Sequence, residues 1–330
     1  MSRSTSKYPL FAATAIAIAS IACLAYVLHW RPPSEGSKSQ TKAAAVTPAT
    51  GKAPVTKTVT DSNGNKLATF TVGARTVLMH GPTRTFAERA NTAATITSPD
   101  WVRLYPKPFD GTVDQAWLQA AVADNNSPSK PDLIAIAMQY ITGAPTIKDD
   151  TGRIIAGSAS YGPTMPDGER EEGSDFNDYL GISYTYGTEV DKPEARQLGS
   201  LDCSGFQRMI WGYRSGIPLE LRPTGTAIPR QAYQMYDSLP GIVVIPNIGK
   251  QVNDFSRLQV GDLVFHDASD DDGTKIDHVG VYLGLDSNGD RRFISSRKKA
   301  NGPTFGDLGG RSVLNGRGSY AETFRAVRRF

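Results

Sequence analysis

Cysteine is almost missing from this chain of 330 residues: Cys23 lies in an apolar stretch near the start and Cys203 is the only other. Cys203 therefore has no partner in the polar body with which to close an intramolecular disulfide, and a lone thiol of this kind is worth weighing as a nucleophile. Histidine is scarce as well, with four. Neither C-x-x-C nor H-E-x-x-H occurs, so the sequence gives no support for a metal site, and no cofactor is expected. Strong charge of one sign is also absent. A net +3 suits an anionic polymer or a membrane surface, and it is too weak to argue for nucleic acid. Long hydrophobic runs are limited to one, residues 10–30, which hold no charged residue and match the roughly 20 residues a bilayer requires.

Arg3 and Lys7 precede that run, and Tyr26 and Trp30 stand near its far end. The pattern predicts a cytoplasmic N-terminus (1–9), a single-pass signal anchor (10–30) in the cell membrane and an extracytoplasmic body. Arg31 and the later lysines weaken the charge asymmetry. A cleaved signal peptide releasing a secreted protein is the rival reading. Cys23 reads as a membrane-embedded apolar residue. Residues 31–66, rich in Pro, Ser, Thr, Ala and Lys without apolar periodicity, read as a flexible linker.

Residues 67–165 carry no recognisable motif and are expected to form an accessory N-terminal region. Short strands are predicted over 67–79 and 101–105, and helices over 113–123, capped by Asp110 or Thr112, and over 131–142. Residues 143–178 are loop-like, with the acidic run Glu169 to Glu172 reading as a solvated face or a lid.

The stretch Leu201-Asp202-Cys203-Ser204-Gly205-Phe206 runs into the amphipathic Gln207 to Tyr213. Ser204-Gly205 can open a helix, with Met209, Ile210 and Tyr213 on one face and Cys203 at its N-terminus. There the helix dipole and free backbone N–H groups lower a thiol's pKa. The plain alternative is a small buried apolar residue. Asp202 reads as a helix cap. Further on, short apolar or alternating runs over 243–245, 263–265, 279–283 and 292–295 have strand length. Asp286 to Asp290, with Asn288-Gly289 at its centre, reads as a hairpin turn. Helices followed by several strands predict an α+β domain with an antiparallel sheet.

Three stretches occur in order: Asp202-Cys203-Ser204-Gly205-Phe206, Leu258 to Phe265 (LQVGDLVF) and Asp277 to Gly284 (DHVGVYLG). Together they resemble the successive signatures of NlpC/P60 cysteine peptidases, over roughly residues 175–330. The resemblance implies a papain-like domain over 166–330, with helices packed on an antiparallel sheet. It also implies a Cys-His pair with a polar third residue, and hydrolysis of amide bonds in the peptide stems of bacterial cell wall. His278 matches the family histidine and is the expected general base and acid. His29 is at the membrane edge, His80 lies in the unassigned region, and His266 stands where the family usually has an aromatic or apolar residue.

The family offers His, Asn or Gln as the third residue, whereas Phe293-Ile294-Ser295-Ser296-Arg297 has none. If Asn288-Gly289 is a two-residue turn, odd-numbered residues of this strand share a face with His278, which points to Ser295 with Arg297 beside it. Arg297 would oppose formation of an imidazolium. The oxyanion is expected at the Cys203 backbone N–H. Tyr184, in Gly181 to Gly187, resembles the tyrosine stretch that precedes the family's cysteine. It is either beside the nucleophile, touching substrate with Asp202 and Ser204, or a core tyrosine.

The reading is a membrane-tethered cysteine peptidase acting on peptidoglycan stem peptides. Its alternatives are a non-catalytic wall-binding protein with a degenerate NlpC/P60 domain, or acyl transfer by the same Cys-His chemistry. Asp270 to Gly273 and Asp286 to Asp290 lack the full spacing of a calcium loop and read as turns.

Overall fold

The computed structural model describes residues 52–330, apart from 128, 270–272 and 274. The expected cytoplasmic segment, membrane anchor and most of the linker lie outside the described residues. Among the described residues no helix is long and apolar enough to cross a membrane.

Four strands open this part: β1 (Thr56–Thr60), β2 (Lys66–Thr71), β3 (Thr76–Ala87) and β4 (Thr95–Leu104), paired antiparallel in that order. The linker expected to run to residue 66 therefore ends earlier. Thr56-Lys57-Thr58-Val59-Thr60 is β-branched at four of its five positions, and it pairs with β2 across a turn that the Asp61 carboxylate ties by accepting from the N–H groups of Asn63 and Asn65. Phe70, Val77, Met79, Tyr105 and Phe109 bury one face of this sheet against Leu118 and Ala121 of a helix, Gln115–Asn125. That helix is capped by Asp114, not by Asp110 or Thr112; the Asp110 carboxylate instead accepts from the Thr112 N–H in a local turn. The next helix, Leu133–Met138 with Asp132 as cap, is shorter than expected. Beyond it the carbonyls of Gln139 and Tyr140 accept from the N–H groups of Gly157 and Ala159, so the backbone is tied to a neighbouring segment and does not continue the helix.

Two small hairpins follow, β5 (Ile147–Lys148) with β6 (Ile154–Ala156), and β7 (Tyr184–Tyr186) with β8 (Glu189–Asp191). Between them lies a helix, Phe176–Leu180. The cysteine helix, Cys203–Gln207, runs straight into a π-helical stretch, Arg208–Tyr213, and a further helix spans Ala232–Ser238. The remaining strands are β9 (Ile242–Ile245), β10 (Leu263–His266), β11 (His278–Leu285), β12 (Arg291–Arg297), β13 (Gly302–Thr304) and β14 (Phe324–Arg329). They form one antiparallel sheet in the order β13-β12-β11-β10-β14-β9. Alternation along the strands gives it two buried faces. Val279, Val281, Phe265 and Ile294 meet Phe206, Met209 and Ile210 on one side, while Val264, Phe293, Phe324 and Val327 pack together on the other. Helices on an antiparallel sheet are the expected α+β arrangement.

The region 67–165 is not a separate body: all described residues fall in one compact unit. Ile96 and Val102 of β4 belong to the same core as Val260 and Val279. Arg329 of β14 donates to Thr71 Oγ1 at 2.8 Å, and the Glu88 carboxylate accepts from the Phe305 N–H at 2.8 Å.

Candidate active site

Asp202 sets the start of the cysteine helix. Its carboxylate accepts from the Gly205 N–H at 2.7 Å, the Gly173 N–H at 3.1 Å, the Ser204 hydroxyl at 3.1 Å and Arg230 Nη2 at 2.7 Å. Arg230 also donates to Ser204 Oγ at 2.6 Å. Asp202 and Ser204, two of the three side chains named as substrate contacts, are thus held by protein groups, although both border the cleft. Gly205 is required by packing, because a Cβ there would stand 2.2 Å from the Ser174 carbonyl oxygen. Behind it Arg208, fully buried, donates to Asp175 at 2.8 Å and to the carbonyls of Glu220 and Ile228 at 2.7 Å, and also meets the Tyr186 hydroxyl. The position of the thiol rests on this buried ionic cluster.

Cys203 is 8% exposed and its Sγ lies 3.8 Å from the Asp277 carbonyl oxygen, next to the start of β11. His278 is the first residue of β11, and its Nε2 lies 3.0 Å from Ser295 Oγ on β12. Gly280 makes room for this pair: a Cβ there would come within 2.7 Å of the Ile294 carbonyl oxygen and 3.2 Å of Ser295 Cβ. The imidazole also packs on the Tyr320 ring, with centroids 5.3 Å apart.

The electrostatics differ from the expected ionised thiol. Burial pushes the Cys203 thiol up, the Asp202 and Glu172 carboxylates add to this, and Arg230 and the Val279 N–H oppose it only in part. A short helix with a carboxylate at its cap cannot outweigh such desolvation. Burial, with the Arg297 charge second, pushes His278 down to about 3. At rest burial keeps both groups, which border the same cleft, neutral.

Two lobes meet at Cys203, of about 490 and 520 Å³. Tyr161, Glu172 and Asp277 border both; Arg230, Tyr233 and Lys275 border the first, and His278, Arg297 and Tyr320 the second. Glu172, from the acidic run read as a solvated face or lid, pairs with Lys298 at 2.8 Å and lies 3.4 Å from the Tyr161 hydroxyl. Tyr161 and Tyr320 carried no motif, and nothing in the sequence singled them out. Tyr184 lines neither lobe. The β7–β8 hairpin turns it onto Phe176 and Tyr186, with ring centroids 4.9 and 4.8 Å away, so it sits with its core neighbours. Among the described residues no group of three or more His, Cys, Asp or Glu could hold a metal ion.

Residues 181–315 match the model of the NlpC/P60 family. This part of the chain is an NlpC/P60 domain, of mixed helix and antiparallel sheet. Two solved structures of that family are similar to it. One, described as similar to lipoprotein, NLP/P60 family, from Staphylococcus aureus subsp. aureus Mu50, is 23% identical over 46% of this chain, with a TM-score of 0.25. The other, an NlpC/P60 family protein from Bacillus cereus ATCC 10987, is 17% identical over 84% of this chain, with a TM-score of 0.29. The chain spans 38% and 60% of the lengths of those two proteins. No curated protein matches it.

Proposed function

We propose that the protein hydrolyses amide bonds in peptidoglycan stem peptides, with Cys203 as nucleophile, His278 as general base and acid, and Ser295 orienting the imidazole. The observation that carries this reading is the 3.0 Å His278 Nε2 to Ser295 Oγ contact on the same cleft that exposes the Cys203 sulfur. For Nδ1 to take the thiol proton, Nε2 must hold the ring hydrogen and donate it to the serine oxygen. As the sulfur attacks the carbonyl carbon, its proton passes to Nδ1 and negative charge develops on the carbonyl oxygen. The Cys203 N–H, at the first residue of its helix, faces that charge. Collapse breaks the C–N bond, the imidazolium returns the proton to the leaving amine, and water, deprotonated by the same imidazole, hydrolyses the thioester. The ion pair forms only as the bond is made, because burial keeps both groups neutral beforehand.

The same resistance to ionisation favours a second reading, a wall-binding domain that has lost catalysis. One experiment separates them: release of new amines from purified cell wall, present with the native protein and absent with Cys203→Ala, supports the enzyme. No release from either supports the binding module. In either case residues 10–30 are proposed to anchor the chain in the membrane with the domain outside the cell. Protease accessibility of the domain in intact spheroplasts tests this, and full protection would reject it.

A further inference from the structure

His266 is a second imidazole that the proposed mechanism leaves unused. It stands directly opposite His278 in the β10–β11 ladder, so the two side chains share a face of the sheet, with ring centroids 5.9 Å apart. His278 borders the cleft, whereas His266 is fully buried against the rings of Phe293, Tyr320 and Phe324. Any part it has in the chemistry runs through a neighbour.

Its polar contacts are lopsided. Nδ1 lies 2.9 Å from the Tyr320 carbonyl oxygen, and Nε2 has no hydrogen-bond partner. A carbonyl only accepts, so Nδ1 carries the ring hydrogen and donates it, leaving a bare lone pair at Nε2. Burial first, then the neighbouring His278 and the charges of Arg297 and Arg325, outweigh the Tyr320 carbonyl and keep the ring neutral. A phenyl ring would fill much the same space without an unsatisfied acceptor, so what the imidazole brings to this position is its one donor.

That donor fixes Tyr320. The helix Ser319–Thr323 is five residues long and follows Gly318, which has no side chain to cap it, and a helix so short does not hold itself. Its carbonyls are tied from outside: Tyr320 by His266, Ala321 by Gln251 Nε2 at 2.9 Å and Thr323 by the Asp267 N–H at 3.0 Å. The Tyr320 ring in turn packs on the His278 imidazole, with planes 38° apart, and the Arg297 guanidinium lies 4.9 Å from the same ring. Ser295 Oγ holds His278 at one atom only. A ring held at one atom still rocks about it, and a surface pressed on its face removes that freedom. Orientation matters here because a reacting group tolerates little displacement.

We propose that His266 is a positioning residue: by donating from Nδ1 to the Tyr320 carbonyl it keeps the Tyr320 ring against His278 and so fixes the orientation of that imidazole. Its effect on rate rests on the proposed role of His278 as general base.

The test uses the full chain in detergent, a soluble stem peptide, and NMR relaxation of the chain labelled in its histidine rings. His266→Phe keeps a ring and loses the donor: kcat should fall about fivefold, the worth of one hydrogen bond, with KM unchanged. His266→Asn, whose amide places a donor near the position of Nδ1, should stay within about twofold of native. Tyr320→Leu should cost about as much as His266→Phe, and the double variant no more than Tyr320→Leu alone, because the two act through one contact. A native kcat in His266→Phe, equal losses in the Phe and Asn variants, or losses that multiply in the double variant would overturn the inference. If the native chain cleaves no stem peptide, the peptidase reading fails by itself and relaxation decides. The His278 ring should then be rigid in the native chain and in His266→Asn, and mobile in His266→Phe; equal rigidity in all three overturns the positioning role. Should His266→Phe not fold, Tyr320→Leu carries the same comparison, and an unchanged His278 ring in it overturns the role as well.

Discussion

Ser295→Ala is the sharpest probe of the proposed chemistry. Ser295 is fully buried, and its oxygen is the partner found for His278 Nε2. Removing it leaves an imidazole N–H in a dry site, worth about 1–3 kcal/mol. The imidazolium formed during attack needs that acceptor more than the neutral ring does, so the loss falls mainly on the transition state. It amounts to about a 5- to 150-fold drop in kcat/KM. With the acceptor gone the imidazolium is harder to form, and the acid limb of the pH profile should move to lower pH. The assay is amine release from a soluble stem peptide across pH, alongside urea unfolding to separate stability from rate. A variant whose kcat/KM and pH profile overlay those of the native protein would refute the orienting role.

Three further outcomes follow from the same geometry. Arg208→Met should lose about 3–5 kcal/mol, because it removes the principal partner of the buried Asp175 and leaves only Arg230 at 3.7 Å; a urea midpoint close to native would reject the buried cluster as the support of the cysteine helix. Burial pushes both His266 and His278 down, so they bind fewer protons when folded than when unfolded. Their contribution is full above the ordinary imidazole value near 6.5 and is lost as pH falls from there, towards about 3 for His278, at about 1.4 kcal/mol per pH unit while each group stays neutral in the folded state. Unfolding midpoints that stay flat between pH 7 and pH 5 would contradict this. Arg297→Met removes the charge that opposes the imidazolium and should shift the acid limb of kcat/KM to higher pH; no shift would show that burial alone sets the histidine.

Much of the sheet was legible because strand runs and turn residues are local signals. The route to Ser295 is instructive. The expected two-residue turn at Asn288-Gly289 is not formed: Leu285 pairs with Arg291, leaving five residues in the loop. That change alone would turn Ser295 away from His278, but an irregularity between Tyr282 and Gly284 restores the parity. Ser295 reaches His278 through two compensating departures from regularity. Asp202 was legible as a cap, because capping depends on neighbours in sequence. Tyr161, Glu172 and Tyr320 were not, since each reaches the cleft from a loop or short helix whose position is set by long-range packing. The expected thiolate failed for a related reason: burial and the neighbouring Asp202 and Glu172 carboxylates outweigh a helix end, and no local pattern reveals burial.

The strand order carries a consequence for how the protein is made. β14 lies between β10 and β9, yet it is translated after both. A growing polypeptide can close the β11–β12 hairpin early, but those two older strands have nothing to bridge them until residues 324–329 emerge from the ribosome. Cys203 and His278 are thus both synthesised well before the sheet beneath them is whole, and the cleft they border is a late product of biogenesis.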